Sequence, residues 1–167
     1  MSATSTSVAL VPMLRLIGVA SALGAADDSV REGPLALRNM GIEAALRRAG
    51  VDVGWGATIE APAGPPLAAL GVLLRELATE VANIVACGQI PIVLGGDHAI
   101  AAGTWRGVGR ALGAAPGLIW IDAHLDAHTP ASSTSGNYHG MPLAALLGVG
   151  ADAMVDISGP QLDPARI

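Results

Sequence analysis

Residues 90–126 read IPIVLGGDHAIAAGTWRGVGRALGAAPGLIWIDAHLD, and their order decides the fold. Ile90 to Leu94 is an apolar run of strand length, broken by Gly95-Gly96. Ala99 to Leu112 carries a helical pattern, and Leu118 to Ile121 is a second apolar run. Apolar strands alternating with helices predict an α/β chain built on a parallel sheet. Each apolar run empties into polar residues with chemistry: Asp97-His98 after the first, Asp122-Ala123-His124-Leu125-Asp126 after the second.

The same alternation extends in both directions. Upstream, Met13 to Ala20 reads as strand one, and Gly33-Pro34 opens a helix whose apolar stripe (Leu35, Leu37, Met40, Ala44, Leu46, Ala49) stops at Gly50. Val51 to Trp55 reads as strand two and Ala61 to Pro66 as a loop. Leu67 to Cys87 is a helix with Leu70, Leu73, Leu74, Leu77, Val81 and Ile84 on one face, ended by Gly88. Ile90 to Leu94 is then strand three and Leu118 to Ile121 strand four. Downstream, residues 123–137 form a polar loop, Gly140 to Leu147 starts a short helix, and residues 162–167 read as the turn before a fifth strand. Residues 1–12 are expected to be a disordered Ser/Thr leader and residues 13–167 a single domain.

Composition narrows the function. Of the 167 residues, 51% are hydrophobic and 14% charged, which excludes a disordered chain. The net charge of −5 argues against a nucleic-acid partner, and three Trp and one Tyr are too few for base or sugar platforms. No run reaches the length of an uncharged membrane span, so no membrane partner is expected. A single cysteine, Cys87, excludes a disulfide framework and fits a cytoplasmic location; its place in an apolar stretch predicts a buried structural thiol.

All four histidines (His98, His124, His128 and His139) fall in one quarter of the chain, with Asp97, Asp122 and Asp126 among them. Ligands of open parallel sheets bind outside the carboxyl ends of strands, so the segments after strands three and four should meet there. Asp122, His124 and Asp126 alternate, and an extended backbone would turn all three to one side. Mixed carboxylate and imidazole donors suit Mn²⁺, Fe²⁺, Zn²⁺ or Ni²⁺, and a carboxylate can bridge a pair of ions.

Three motifs in order, Gly95-Gly96-Asp97-His98, Asp122-Ala123-His124-Leu125-Asp126 and Thr134-Ser135-Gly136-Asn137-Tyr138-His139-Gly140-Met141-Pro142, resemble those of the ureohydrolases. The arginase branch is the most similar, through Ser135-Gly136-Asn137 before His139-Gly140 and through Glu32-Gly33-Pro34 with Leu37-Arg38. The resemblance implies a three-layer α/β/α fold and hydrolysis of a guanidino substrate, L-arginine, to L-ornithine and urea, with two Mn²⁺ per complete site. It implies His98 as a ligand of one manganese, Asp122 as a bridge, Asp126 on the first ion and His124 on the second. Asp126 would also take up the proton of the attacking oxygen, and His139 matches the proton-shuttling histidine. Ser135, Asn137 and His128 match the part that holds the substrate's α-carboxylate, which agmatine lacks, so an agmatinase-like hydrolase is the nearest enzyme alternative. Asp97 resembles a carboxylate that orients a ligand.

The chain departs from the family pattern at three places. Ala99 stands where the family usually has Ser, and His128 where classical arginases have Asn. No Ser-x-Asp-x-Asp motif follows; the acidic residues after Asp126 are Asp152, Asp156 and Asp163, the first two read as surface-loop residues. The chain therefore reads as the N-terminal half of such an enzyme, its sheet incomplete at the C-terminal side. The absent strands would lie between strands three and four, which predicts a separated His98 and Asp122. On this reading the lone half is inactive or a non-catalytic remnant needing a complementing half, and a homo-oligomer is open for the complete form.

Overall fold

The computed structural model describes residues 12–167; the expected leader at 1–12 lies, but for Pro12, outside the described residues. Three parallel strands form the sheet: β1 (Leu14–Ala20), β2 (Val53–Glu60) and β3 (Ile90–Gly95), in the order β2-β1-β3. Leu14 pairs with Val53 on one side and Ile90 on the other, so β1 is fully enclosed within the sheet. That is why, beyond Arg15 near its start, its sequence is apolar without alternation.

Helices cover both faces. Ile17 and Val19 point toward the long helix α3 (Pro66–Ala86), whose predicted face (Leu70, Leu73, Leu74, Leu77, Val81, Ile84) is buried throughout. Gly18 faces the other way, where Pro34 of α1 (Gly33–Asn39) and the Trp55 ring close over it. The result is the expected three-layer α/β/α arrangement. Helix α4 (Ala101–Leu112) packs on α3 through small residues: a Cβ at Gly107 would stand 2.5 Å from the Ala78 carbonyl oxygen. Buried Arg106 on α4 donates to the carbonyls of Gly159 and Ala145 at 2.9 and 3.0 Å. It thereby ties α4 to the end of α5 (Pro142–Leu146).

Several expectations are corrected. The single helix after Gly33 is two, α1 and α2 (Ile42–Arg48), because Gly41 adopts a left-handed φ of 78° that only glycine takes without strain. Its expected apolar stripe is largely uncovered: Leu35 and Met40 are exposed. Strand two starts later and runs further than Val51 to Trp55. Cys87 caps the end of α3 and is exposed rather than buried. Residues 118–121 form no strand: the Leu118 N–H donates to the Arg166 carbonyl at 2.9 Å, but no ladder follows from it; Leu118 is buried, whereas Ile119 and Ile121 are 85% and 92% exposed. Asp152 opens a one-turn helix, α6 (Asp152–Val155), with Asp156 just after it, both exposed. In place of a turn into a fifth strand, Pro164–Arg166 is a short 3-10 turn.

Candidate metal centre

The Gly95-Gly96 break ends β3 and lets the chain turn sharply into a 3-10 turn at His98–Ile100, which starts the run into α4. Asp97 caps that turn: its Oδ1 accepts from the Ala99 N–H at 2.9 Å. His98 is thus displayed at the carboxyl edge of the sheet. Its ring stacks on Trp120, with centroids 4.8 Å apart and planes inclined by 28°. Trp120 in turn carries the chain to Asp122.

Asp126 reaches the same point by an unusual backbone. Its φ of 49° is the one positive value outside glycine among the described residues, in a region that Asp tolerates better than most side chains. The Leu143 N–H, in the first turn of α5, donates to the Asp126 carbonyl at 3.0 Å and holds that conformation.

His98, Asp122 and Asp126 converge. His98 Nδ1 is 2.7 Å from Asp126 Oδ2 and 3.1 Å from Asp122 Oδ2, and one donor atom from each lies within 4.8 Å of the others. The expected separation of the His98 and Asp122 segments does not occur, because the Trp120 stack and the α5 anchor bring them together. An octahedral divalent ion with bonds of about 2.1 Å sets neighbouring donors about 3.0 Å apart, so the two measured distances fit one ion. An imidazole with two carboxylates is also a chemically suitable donor set for a first-row divalent metal.

His124 is not part of this group. The expected alternation fails because the chain bends after Asp122, whose Oδ1 accepts from the His124 N–H at 2.9 Å. The His124 ring lies 3.8 Å from Asp122 Oδ1 with its side chain 83% exposed. The same backbone donor, aided by the nearby imidazoles of His98 and His124, holds the Asp122 carboxyl below the usual carboxylate value. That favours the ionised form a metal requires.

Beside the triad lies a cleft of about 560 Å³ lined by His124, Asp126, His128, Ser135, Asn137 and His139. The loop supporting it is internally braced. The His128 N–H donates to the Gly140 carbonyl at 3.0 Å, the Gly136 N–H to Ser133 Oγ at 3.0 Å, and the Asn137 N–H to Ser135 Oγ at 3.3 Å. Ser132 Oγ lies 3.3 Å from His128 Nδ1 and accepts from the Thr129 N–H. The structure groups His98, Asp122 and Asp126, and it lines the cleft with His124, Asp126, His128, Ser135, Asn137 and His139; it does not bring His124 into the metal-binding group. Sequence reasoning missed the Trp120 stack, Ser132 and Ser133. The first had a signal, since Trp120 immediately precedes Ile121-Asp122.

The Arginase family model matches residues 13–160. The arginase of Bacillus caldovelox is 38% identical over 169 residues, covering 92% of this chain and 56% of its own length. Human arginase-1 is 36% identical over 141 residues, with 79% of this chain and 44% of its own covered. Among solved structures, Entamoeba histolytica arginase in complex with L-ornithine superimposes with a TM-score of 0.84 at 33% identity, covering 93% of this chain and 55% of that one. The chain spans about half the length of the curated relatives it matches.

Proposed function

The chain belongs to the arginase family, and on that premise we propose that it carries the first half of a dimanganese site for hydrolysing the guanidino group of L-arginine to L-ornithine and urea. The observation that carries this reading is the convergence of His98, Asp122 and Asp126 beside a cleft holding Ser135, Asn137 and His139. Manganese bound there would supply an activated water and a Lewis acid. His98, Asp122 and Asp126 would hold the first ion. His124, exposed beside Asp122, is free to turn toward a second. Asp126 accepts a proton from the attacking oxygen, and His139 passes a proton between the cleft and solvent. Ser135, Asn137 and His128 offer hydrogen bonds to the substrate's α-carboxylate, which favours arginine over agmatine.

A second reading, a half-site that works only with a complementing polypeptide, is favoured by a specific observation. Among the described residues one group of three donors forms, and no second group accompanies it. Hydrolysis between two ions needs both to be held. We therefore expect the 167-residue chain alone to release little urea from arginine in excess Mn²⁺, and activity to appear when the missing ligands are supplied in cis or in trans. Turnover by the lone chain near the enzyme median of about 10 s⁻¹ would overturn the half-site reading. A complemented form preferring agmatine would overturn the arginine assignment. A cytoplasmic location is part of the proposal, supported by the unpaired Cys87; no helix among the described residues is long and apolar enough to cross a membrane.

A further inference from the structure

Two hydrogen bonds meet at Gly24, in the loop that leaves β1. Its N–H donates to Asp97 Oδ2 at 3.0 Å, and its carbonyl accepts from the His139 N–H at 3.0 Å. The other oxygen of Asp97 holds the Ala99 N–H, where the turn bearing His98 begins. One glycine and one carboxylate thus connect the segment that displays His98 to the segment that displays His139.

The junction leaves no room for a side chain. A Cβ at Gly24 would overlap Asp97 Oδ1 and would stand 2.8 Å from Ala99 Cβ and 3.0 Å from the His139 nitrogen. The loop itself is fixed to the strand ends. The Asp97 N–H donates to the Ser21 carbonyl and the Gly96 N–H to the Val19 carbonyl, each at 3.2 Å, and Ser21 is fully buried. Asp97 is 5% exposed, and the Gly24 and Ala99 donors offset part of the cost of burying its carboxylate. No Arg is paired with it among the described residues. A desolvated carboxylate with only backbone donors is expensive as a simple turn cap, since exposed caps do the same with no burial cost.

We propose that Gly24 and Asp97 are positioning residues that clamp His139 to the His98 turn and so set the separation between the metal-binding group and the cleft histidine. The consequence for chemistry rests on the roles proposed above for His98 and His139; the clamp itself does not. The experiment is amide hydrogen exchange by NMR on the metal-free chain, followed by Mn²⁺ titration, for Asp97→Asn and Gly24→Ala. Asn keeps the size of Asp but can accept only through one oxygen. In both variants exchange at the His139 amide should accelerate about tenfold or more, together with Ala99. Mn²⁺ affinity should fall by about tenfold or more, as when an outer support of a ligand is removed. Gly117→Ala, whose added Cβ meets nothing nearer than 3.7 Å, should match the parent in both measurements. If Asp97 only caps the His98 turn, Ala99 will accelerate and His139 will not, which overturns the proposal. Parent-like Mn²⁺ affinity in a folded variant overturns it equally. Should Gly24→Ala fail to fold, Asp97→Asn decides alone. A parent chain that binds no Mn²⁺ refutes the metal reading, and the His139 exchange rate then judges the clamp separately.

Discussion

Mn²⁺ should stabilise this chain against heat, and Asp122→Ala should abolish most of that effect. The triad joins the turn after β3 to the loop at 122–126, so an ion there binds the folded state and not the unfolded chain. At a free Mn²⁺ concentration about a hundredfold above Kd, linkage gives about 2.7 kcal/mol. For a domain of this size each kcal/mol raises Tm by about 2–4 °C, so the parent should gain about 5–11 °C. In Asp122→Ala, His98 Nδ1 and Asp126 Oδ2 remain 2.7 Å apart but the third donor is gone. Losing a supporting residue around a metal typically weakens binding about 10–100-fold, and losing a donor should do at least as much. At a hundredfold loss the same Mn²⁺ concentration merely equals the new Kd, and the gain shrinks to about 1–2 °C. Asp122 is the informative position because its side chain meets only the half-exposed His98 ring and the exposed His124 segment, so its removal should leave the fold intact. Thermal melts with increasing Mn²⁺, parent against variant, provide the measurement. Equal shifts in the two proteins would refute the assigned donor set, and no shift in the parent up to millimolar Mn²⁺ would refute the site.

Other outcomes follow from single features. His128→Asn should leave L-ornithine binding by calorimetry within a few fold of the parent, since Asn also donates a hydrogen bond; complete loss would show that His128 acts otherwise. Gly107→Ala should lower stability in urea melts. A helical Gly→Ala change normally gains about 1 kcal/mol. Here, however, the new methyl group meets the Ala78 carbonyl at 2.5 Å and Val81 Cβ at 2.9 Å, and overpacking of this kind costs about 1–3 kcal/mol. A more stable variant would contradict the α3–α4 contact. Burial raises the Asp97 carboxyl above its unfolded value of 3.8, so the folded state binds the extra proton. That contribution is complete below pH 3.8 and is lost as pH rises through the raised value. In chelator, the stability of the parent relative to Asp97→Asn should therefore decline as pH rises from 3.8; a flat or rising difference would show that burial is not the dominant influence.

The sheet was legible where periodicity and burial agree. Every apolar position assigned to the face of α3 is buried, and β1 and β3 lie within a residue of their predicted bounds. Helix α1 misled because its apolar residues reflect composition rather than a buried face; in a chain this rich in Ala and Leu, a stripe arises readily by spacing alone. Residues 118–121 misled for a different reason: a strand needs a neighbour, and sequence shows propensity, not partners. At the metal centre, residue types located the acidic and histidine-bearing segments correctly. The local path from Asp122 to Asp126 was invisible, because an Asp side chain capping its own loop and a left-handed Asp126 both break the two-residue alternation.

The strand order also bears on synthesis. The central strand, β1, is made first, and its second neighbour, β3, ends 75 residues later. At about 5–20 residues per second, β1 waits roughly 4–15 s on the ribosome before both of its edges can be covered. During that interval a largely apolar segment, interrupted only by Arg15, has one or two bare hydrogen-bonding edges available to chaperones or to a neighbouring nascent chain. Codon choice between residues 21 and 95, which sets the length of that wait, is therefore a physical variable in whether this chain reaches its native sheet.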